Sequence, residues 1–123
     1  VQKVLVVDDE PNIRNILDFT LGAEGYLVIA AGDGEQGFEV ALAELPDLIL
    51  LDVMMPRSDG FEVCRRLKED PRTAHIPVVM LTAKSGRDDR LQGEAARADG
   101  YITKPFSPQR VVETVQSLLG VPR

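Results

Sequence analysis

Four places in the sequence carry side chains suited to phosphoryl chemistry or to holding a hard cation. Asp8-Asp9-Glu10 follows the apolar run Val4–Val7, and Asp52 follows Leu48–Leu51. Thr82 follows Val78–Leu81, and Lys104 follows Tyr101–Thr103. If these places meet, three carboxylates crowd together, and each resists ionising beside the others. A divalent cation relieves that conflict. Oxygen ligands, a few of them carboxylates, with waters and a phosphate filling the rest, describe a Mg²⁺ site. A carboxylate can also act as a nucleophile toward phosphorus. A metal and a lysine would then stabilise the equatorial phosphoryl oxygens, where charge sits during transfer. A threonine hydroxyl can hydrogen-bond one more oxygen.

Whether the four places meet depends on the elements around them. The chain alternates short apolar runs with segments of helical period. The runs are Val4–Val7, Leu27–Ala30, Leu48–Leu51, Val78–Leu81 and Tyr101–Thr103. Continuous apolar runs without alternation predict strands buried on both faces, as in a parallel sheet. Between them, Ile13, Ile16, Leu17 and Leu21 line one helix face, with Pro11 near its start and Gly25 as a stop. Phe38, Ala41, Leu42 and Leu45 line a second helix that Pro46 ends, and Phe61, Cys64 and Leu67 a third. The fifth stripe is Val111, Val112, Val115, Leu118 and Leu119, opened by Ser107 as N-cap and Pro108 at the first helical position. The fourth helix, Arg87–Ala96, has Leu91 as its one large apolar residue and Gly93 inside it, so it is expected to be the loosest element. Connections too long for hairpins imply parallel strands and right-handed crossovers. The expected fold is α/β: a flavodoxin-like, doubly wound (βα)5 parallel sheet of order 2-1-3-4-5 in three layers. Ligands bind such sheets at the carboxyl ends of the strands, where the strand order reverses. That places Asp8, Asp9, Asp52, Thr82 and Lys104 together.

Composition narrows the function classes. The 123 residues suit one domain, and 44 % apolar content permits a real core. A formal charge of −6 argues against nucleic-acid binding by this chain itself. No apolar run reaches the ~18–20 residues of a bilayer span. The first residues read as a strand rather than as a leader. The single Cys64 and single His75 make an internal disulfide impossible and a zinc site improbable. A reduced, cytoplasmic setting is the expectation. Cys64 falls on an apolar stripe and reads as core, and His75 reads as surface. Bland roles are also open to the chemical residues. Asp8 and Asp9 suit a helix start before Pro11, Thr82 suits a strand, and Tyr101 suits a half-buried one.

The chain resembles the receiver domain of two-component response regulators over essentially its whole length, residues 1–123 as a single domain. The resemblance rests on VLVVDDEP at 4–11, LILLDVMMPRSDGFEVCRRLK at 48–68, PVVMLTA at 77–83 and ADGYITKPFSP at 98–108. It implies that Asp52 is the phosphoacceptor and that Mg²⁺ is the cofactor, held by Asp8, Asp9, Asp52 and the backbone carbonyl of Met54. It implies that Lys104 contacts the phosphoryl group, that Thr82 and Tyr101 are the switch pair, and that the Lys104–Pro105 bond is cis. A sensor histidine kinase or a histidine phosphotransfer protein would be the donor, and an unknown downstream protein or output domain the target. Such a domain is a regulatory switch that catalyses only its own phosphotransfer and self-dephosphorylation. Two other classes of protein would need different residues. A metal-dependent aspartyl-phosphate phosphatase would carry an Asp-x-Asp pair after the first strand, which adjacent Asp8-Asp9 does not supply. A pseudo-receiver scaffold would lack a site residue.

The chain departs from the family pattern in three respects. Arg97 stands where glycine is usual, implying either a strained left-handed residue or a differently ended fourth helix. Glu94 stands where an apolar residue is common. Gly100, Arg110 and Thr114 replace charged residues by which one branch pairs two receivers, so no strong dimer through helices 4 and 5 is expected. The resemblance also places Met54 and Lys84 beside the approach of a hydrolytic water, which implies slow self-dephosphorylation.

Overall fold

The computed structural model of the chain describes residues 1–83 and 87–120, the side chains of 87–90 excepted. Its main sheet contains β1 (Lys3–Val7), β2 (Leu27–Ala31), β3 (Leu48–Asp52), β4 (Val78–Thr82) and β5 (Gly100–Thr103). All neighbours are parallel and the order is β2-β1-β3-β4-β5. The helices are α1 (Pro11–Ala23), α2 (Gly34–Glu44), α3 (Gly60–Glu69), α4 (Arg87–Ala95) and α5 (Pro108–Leu119). The expected doubly wound architecture and strand order are present.

The hydrophobic pattern explains the layers. The three central strands carry the unbroken apolar runs and are buried along Val4–Val7, Leu48–Asp52 and Val78–Thr82. Alternate side chains leave each strand on opposite faces. Leu5, Val7, Ile49, Leu51, Val78 and Met80 join Ala41 of α2 and Phe61, Cys64 and Leu67 of α3 in one core. Val4, Val6, Leu48, Leu50, Val79 and Leu81 join Leu17 and Leu21 of α1 and the α5 valines in the other. Leu17 and Leu21 are wholly buried. Each contributes about 2 kcal/mol through the apolar area removed from water. β2 lies at the sheet edge, so its apolar run is not fully covered and Leu27 stays half exposed.

The helix starts follow the local chemistry. Side chains of Asp33, Asp59 and Ser107 accept from the N–H groups of Gln36, Phe61 and Arg110 at 2.8, 2.9 and 3.2 Å. Pro108 occupies the first turn of α5, as expected. α1 differs from the helix-start reading of Asp8 and Asp9: its N-cap is Glu10, with no side-chain cap bond. Two stripes also end differently. Ile16 is 45 % exposed. Leu45 is the left-handed C-cap of α2, with φ 45°, and that turn carries it out of the stripe to the surface. A two-residue antiparallel ribbon, Met54–Met55 with Ser58–Asp59, had no counterpart in the sequence pattern.

Cys64 is buried and its thiol donates to the Ala96 carbonyl at 3.4 Å, which fits a core role. Burial pushes that thiol up to about 11. His75 is exposed. Among its described side chains, α4 buries only Gly93, while Leu91 is 52 % exposed. Arg97 adopts φ 65°, the strained left-handed alternative. Its N–H donates to the Glu94 carbonyl at 3.0 Å and the Ala98 N–H to the Gly93 carbonyl at 2.9 Å, so arginine closes a Schellman turn that favours glycine.

Candidate functional site: a carboxylate cluster at the sheet's switch point

β1 and β3 are adjacent, while the connections leaving them run to opposite faces of the sheet. Asp8 and Asp9 leave β1 and Asp52 ends β3, so the three carboxylates meet where the strand order reverses. One carboxylate oxygen from each lies within 4.8 Å of those of the others. Asp8 is fully buried and Asp52 is 4 % exposed.

Backbone bonds extend the sheet ladder beyond the strand ends and hold these loops. The Asp8 N–H donates to the Ala31 carbonyl at 3.1 Å, Val53 to Leu81 at 3.0 Å, and Lys104 to Thr82 at 2.6 Å. Asp8 Oδ1 accepts the Glu10 N–H at 2.9 Å, and its Oδ2 accepts Lys104 Nζ at 2.8 Å. The same ammonium is 3.4 Å from Asp52 Oδ1 and 3.9 Å from Glu10 Oε1. The Lys104–Pro105 bond is cis, as the resemblance implied.

The electrostatics record an unbalanced cluster. Burial, reinforced by the Asp8 charge, pushes the Asp52 carboxyl up to about 6, although Lys104 and the Met54 backbone N–H pull it back part of the way. Burial works against the Lys104 charge, but its bonds to Asp8 and Asp52 outweigh that and hold it above the ordinary lysine value. Of the three clustered carboxylates, Asp8 and Asp52 lie at bonding range of the Lys104 ammonium. All three are hard oxygen donors, and Asp9 remains partly exposed. That set of hard carboxylate donors fits Mg²⁺.

Thr82 is buried at the end of β4, one residue past Leu81, which pairs with Asp52. Tyr101 is half-buried on β5 in register with Met80, one alternation inward from the Thr82–Thr103 pair. The two switch candidates therefore lie on one face of neighbouring strands. The Met54 side chain is 73 % exposed beside the cluster. Lys84 lies outside the described residues.

Two residues of the site were not legible beforehand. Arg14 of α1 donates from Nη1 to the Asp8 carbonyl at 2.7 Å, and no local signal marks it. Gly60 opens α3, where glycine after Asp59 suits an ordinary turn. A Cβ there would lie 2.2 Å from the Asp52 carbonyl oxygen and 2.7 Å from Val53 Cα. Glycine lets α3 start directly against the backbone of the residue that carries the cluster's central carboxylate.

An acidic cluster bonded by Lys104, at the switch point of a five-stranded doubly wound sheet, defines a receiver-type domain. The response regulator receiver domain family matches residues 4–116, and the chain belongs to that family. It is 51 % identical over 117 residues to the response regulator PleD of Caulobacter vibrioides, covering 94 % of this chain and 26 % of that protein. It is 45 % identical over 117 residues to the DNA-binding dual master transcriptional regulator RpaA of a Synechocystis strain, covering 95 % of this chain and 48 % of that one. The chain thus spans a quarter to a half of these relatives. The chemotaxis protein CheY4 of Vibrio cholerae superposes with a TM-score of 0.93 at 34 % identity, covering 97 % of this chain and 99 % of that one. Among the described residues, no helix is long and apolar enough to cross a membrane.

Proposed function

We propose that residues 1–123 form a single receiver domain that accepts a phosphoryl group on Asp52 from a phosphohistidine, requires Mg²⁺, and switches a partner surface around α4, β5 and α5. The observation that carries this reading is the placement of Asp52. Its buried carboxylate lies within 4.8 Å of the Asp8 and Asp9 oxygens and 3.4 Å from Lys104. An Asp52 oxygen attacks phosphorus in line. The new P–O bond forms as the P–N bond to the donor imidazole breaks, and the electron pair stays on the departing nitrogen. Asp8, Asp9, Asp52 and the Met54 carbonyl would hold Mg²⁺. When bound, the ion supplies positive charge to the phosphoryl oxygens. Lys104, released from part of its bonding to Asp52, turns its ammonium to the incoming phosphoryl group, and Thr82 offers its hydroxyl to another oxygen. The new charge shifts an equilibrium that Thr82 and Tyr101 read.

The donor is a sensor histidine kinase or a histidine phosphotransfer protein, and the receiver of the signal is a downstream protein or output domain. The domain works in the cytoplasm, without contacting nucleic acid itself, as a switch rather than a turnover enzyme. Acetyl phosphate with Mg²⁺ is expected to add one phosphoryl group. Asp52→Asn abolishes the addition, and Asp9→Ala weakens Mg²⁺ binding. Mass spectrometry that places the group on His75 or a serine overturns the reading.

A further inference from the structure

The ring of Tyr101 rests against a residue that has no side chain. A Cβ on Gly93 would lie 2.3 Å from Tyr101 Cε1, 2.4 Å from its hydroxyl oxygen and 2.7 Å from Cζ. No real carbon atom approaches that closely, so the ring and a side chain at position 93 exclude one another. Glycine is the poorest helix former after proline, and here it sits inside α4. The helix therefore keeps this notch against its own propensity. The Gly93 carbonyl also accepts the Ala98 N–H at 2.9 Å, so the residue that forms the notch also anchors the end of α4.

We propose that Gly93 is the positioning residue for Tyr101: its bare backbone is the seat of the ring, and it joins the ring's position and the placement of α4 into one variable. The proposal rests on reading Tyr101 as a switch residue and goes beyond it by naming what holds the ring. α4 presents little apolar surface of its own, with Leu91 half exposed. The seated ring then links α4 to β5. A side chain at position 93 evicts the ring and moves the balance between the two arrangements.

The chain has two tyrosines and no tryptophan. With Tyr26→Phe and 3-fluorotyrosine labelling, the single fluorine signal reports Tyr101. Gly93→Ala is expected to move that signal in the unphosphorylated protein. It is also expected to lower the melting temperature, although alanine favours helices. In a Tyr101→Ala background the same change is expected to raise it by about 3 °C, because the propensity gain is then unopposed. Read from backbone amide NMR with Mg²⁺ present, the beryllofluoride concentration for half-maximal response shifts at least threefold in Gly93→Ala and not at all when Tyr101→Ala is also present. An unmoved fluorine signal, or the same rise in melting temperature with and without Tyr101, overturns the seat. A wild-type protein that ignores beryllofluoride overturns the receiver reading instead, while fluorine signal and melting still decide the seat.

Discussion

The carboxyl ends of β1 and β3 and the quarter around α4 are built in opposite ways. At the strand ends the buried charged groups Asp8 and Asp52 are held from several sides. Asp8 is bonded by Glu10 and Lys104 through its side chain and by Ala31 and Arg14 through its backbone. Asp52 is pressed from below by Gly60 at a distance that leaves no room for a methyl group. Within α4, Gly93 is the buried residue among those whose burial is described, and Leu91 is half exposed; just past its end Ala96 is buried and Arg97 takes a left-handed φ. Phosphoryl chemistry requires groups held within a fraction of an ångström. Signalling requires an element whose alternative arrangements differ by only a few kcal/mol. The first region concentrates backbone contacts and buried charge, and the second withholds apolar burial.

The contrast is broken most directly by comparing methyl groups at the two glycines. Gly60→Ala sets a Cβ against main-chain atoms of Asp52 and Val53, which cannot yield without moving the end of β3. A loss of about 3 kcal/mol in urea unfolding is expected, with slowed phosphorylation by acetyl phosphate. Gly93→Ala meets the end of a side chain, which can leave, so its cost is smaller. A larger loss at Gly93 than at Gly60 reverses the ranking of the two regions.

The next effect is a gain. Asp52 carries its charge while buried beside Asp8, and its carboxyl is raised to about 6 for that reason. In the metal-free protein above that pH the ionised group is a cost to folding. Asp52→Asn removes the charge and is expected to stabilise the protein by about 2 kcal/mol in EDTA at pH 8. An unchanged midpoint means that Lys104 already balances the cluster.

Smaller again is the effect of Met54→Asn. The exposed, apolar Met54 side chain cannot orient water beside Asp52. An amide there is expected to shorten the phosphorylated lifetime about tenfold, equivalent to ~1.4 kcal/mol of barrier. Loss of phosphorylated protein in Mg²⁺ buffer measures it, and an equal or longer lifetime rejects water exclusion at this position. The smallest effect belongs to the α4 region. Arg97→Gly relieves the left-handed φ of 65° and is expected to raise stability by about 1 kcal/mol, read from urea midpoints. If it destabilises instead, the arginine side chain contributes more than the strain costs.

Much of this molecule was legible along the chain because its determinants are local or periodic. The unbroken runs at Val4–Val7, Leu48–Leu51 and Val78–Leu81 can be satisfied only by strands covered on both faces, and these three became the central strands. Helix starts at Asp59 and Ser107 follow from side chains reaching their own backbone two or three residues on. The candidate site was legible because strand order carries Asp8, Asp9, Asp52 and Lys104 to one edge once the sheet is parallel. Contacts set by how one element packs against the next were not legible, even between residues six to eight positions apart. Arg14 on the Asp8 carbonyl, Gly60 under Asp52 and Gly93 beneath Tyr101 follow no period, and their residue types have many other uses. The outward turn of Ile16 and Leu45 belongs with them, since an apolar residue is buried only where another element arrives to cover it. Periodicity specifies which face of an element seeks cover. The packed layers alone decide how closely two backbones approach, and that distance selects glycine at 60 and at 93 and sets the charge balance around Asp52.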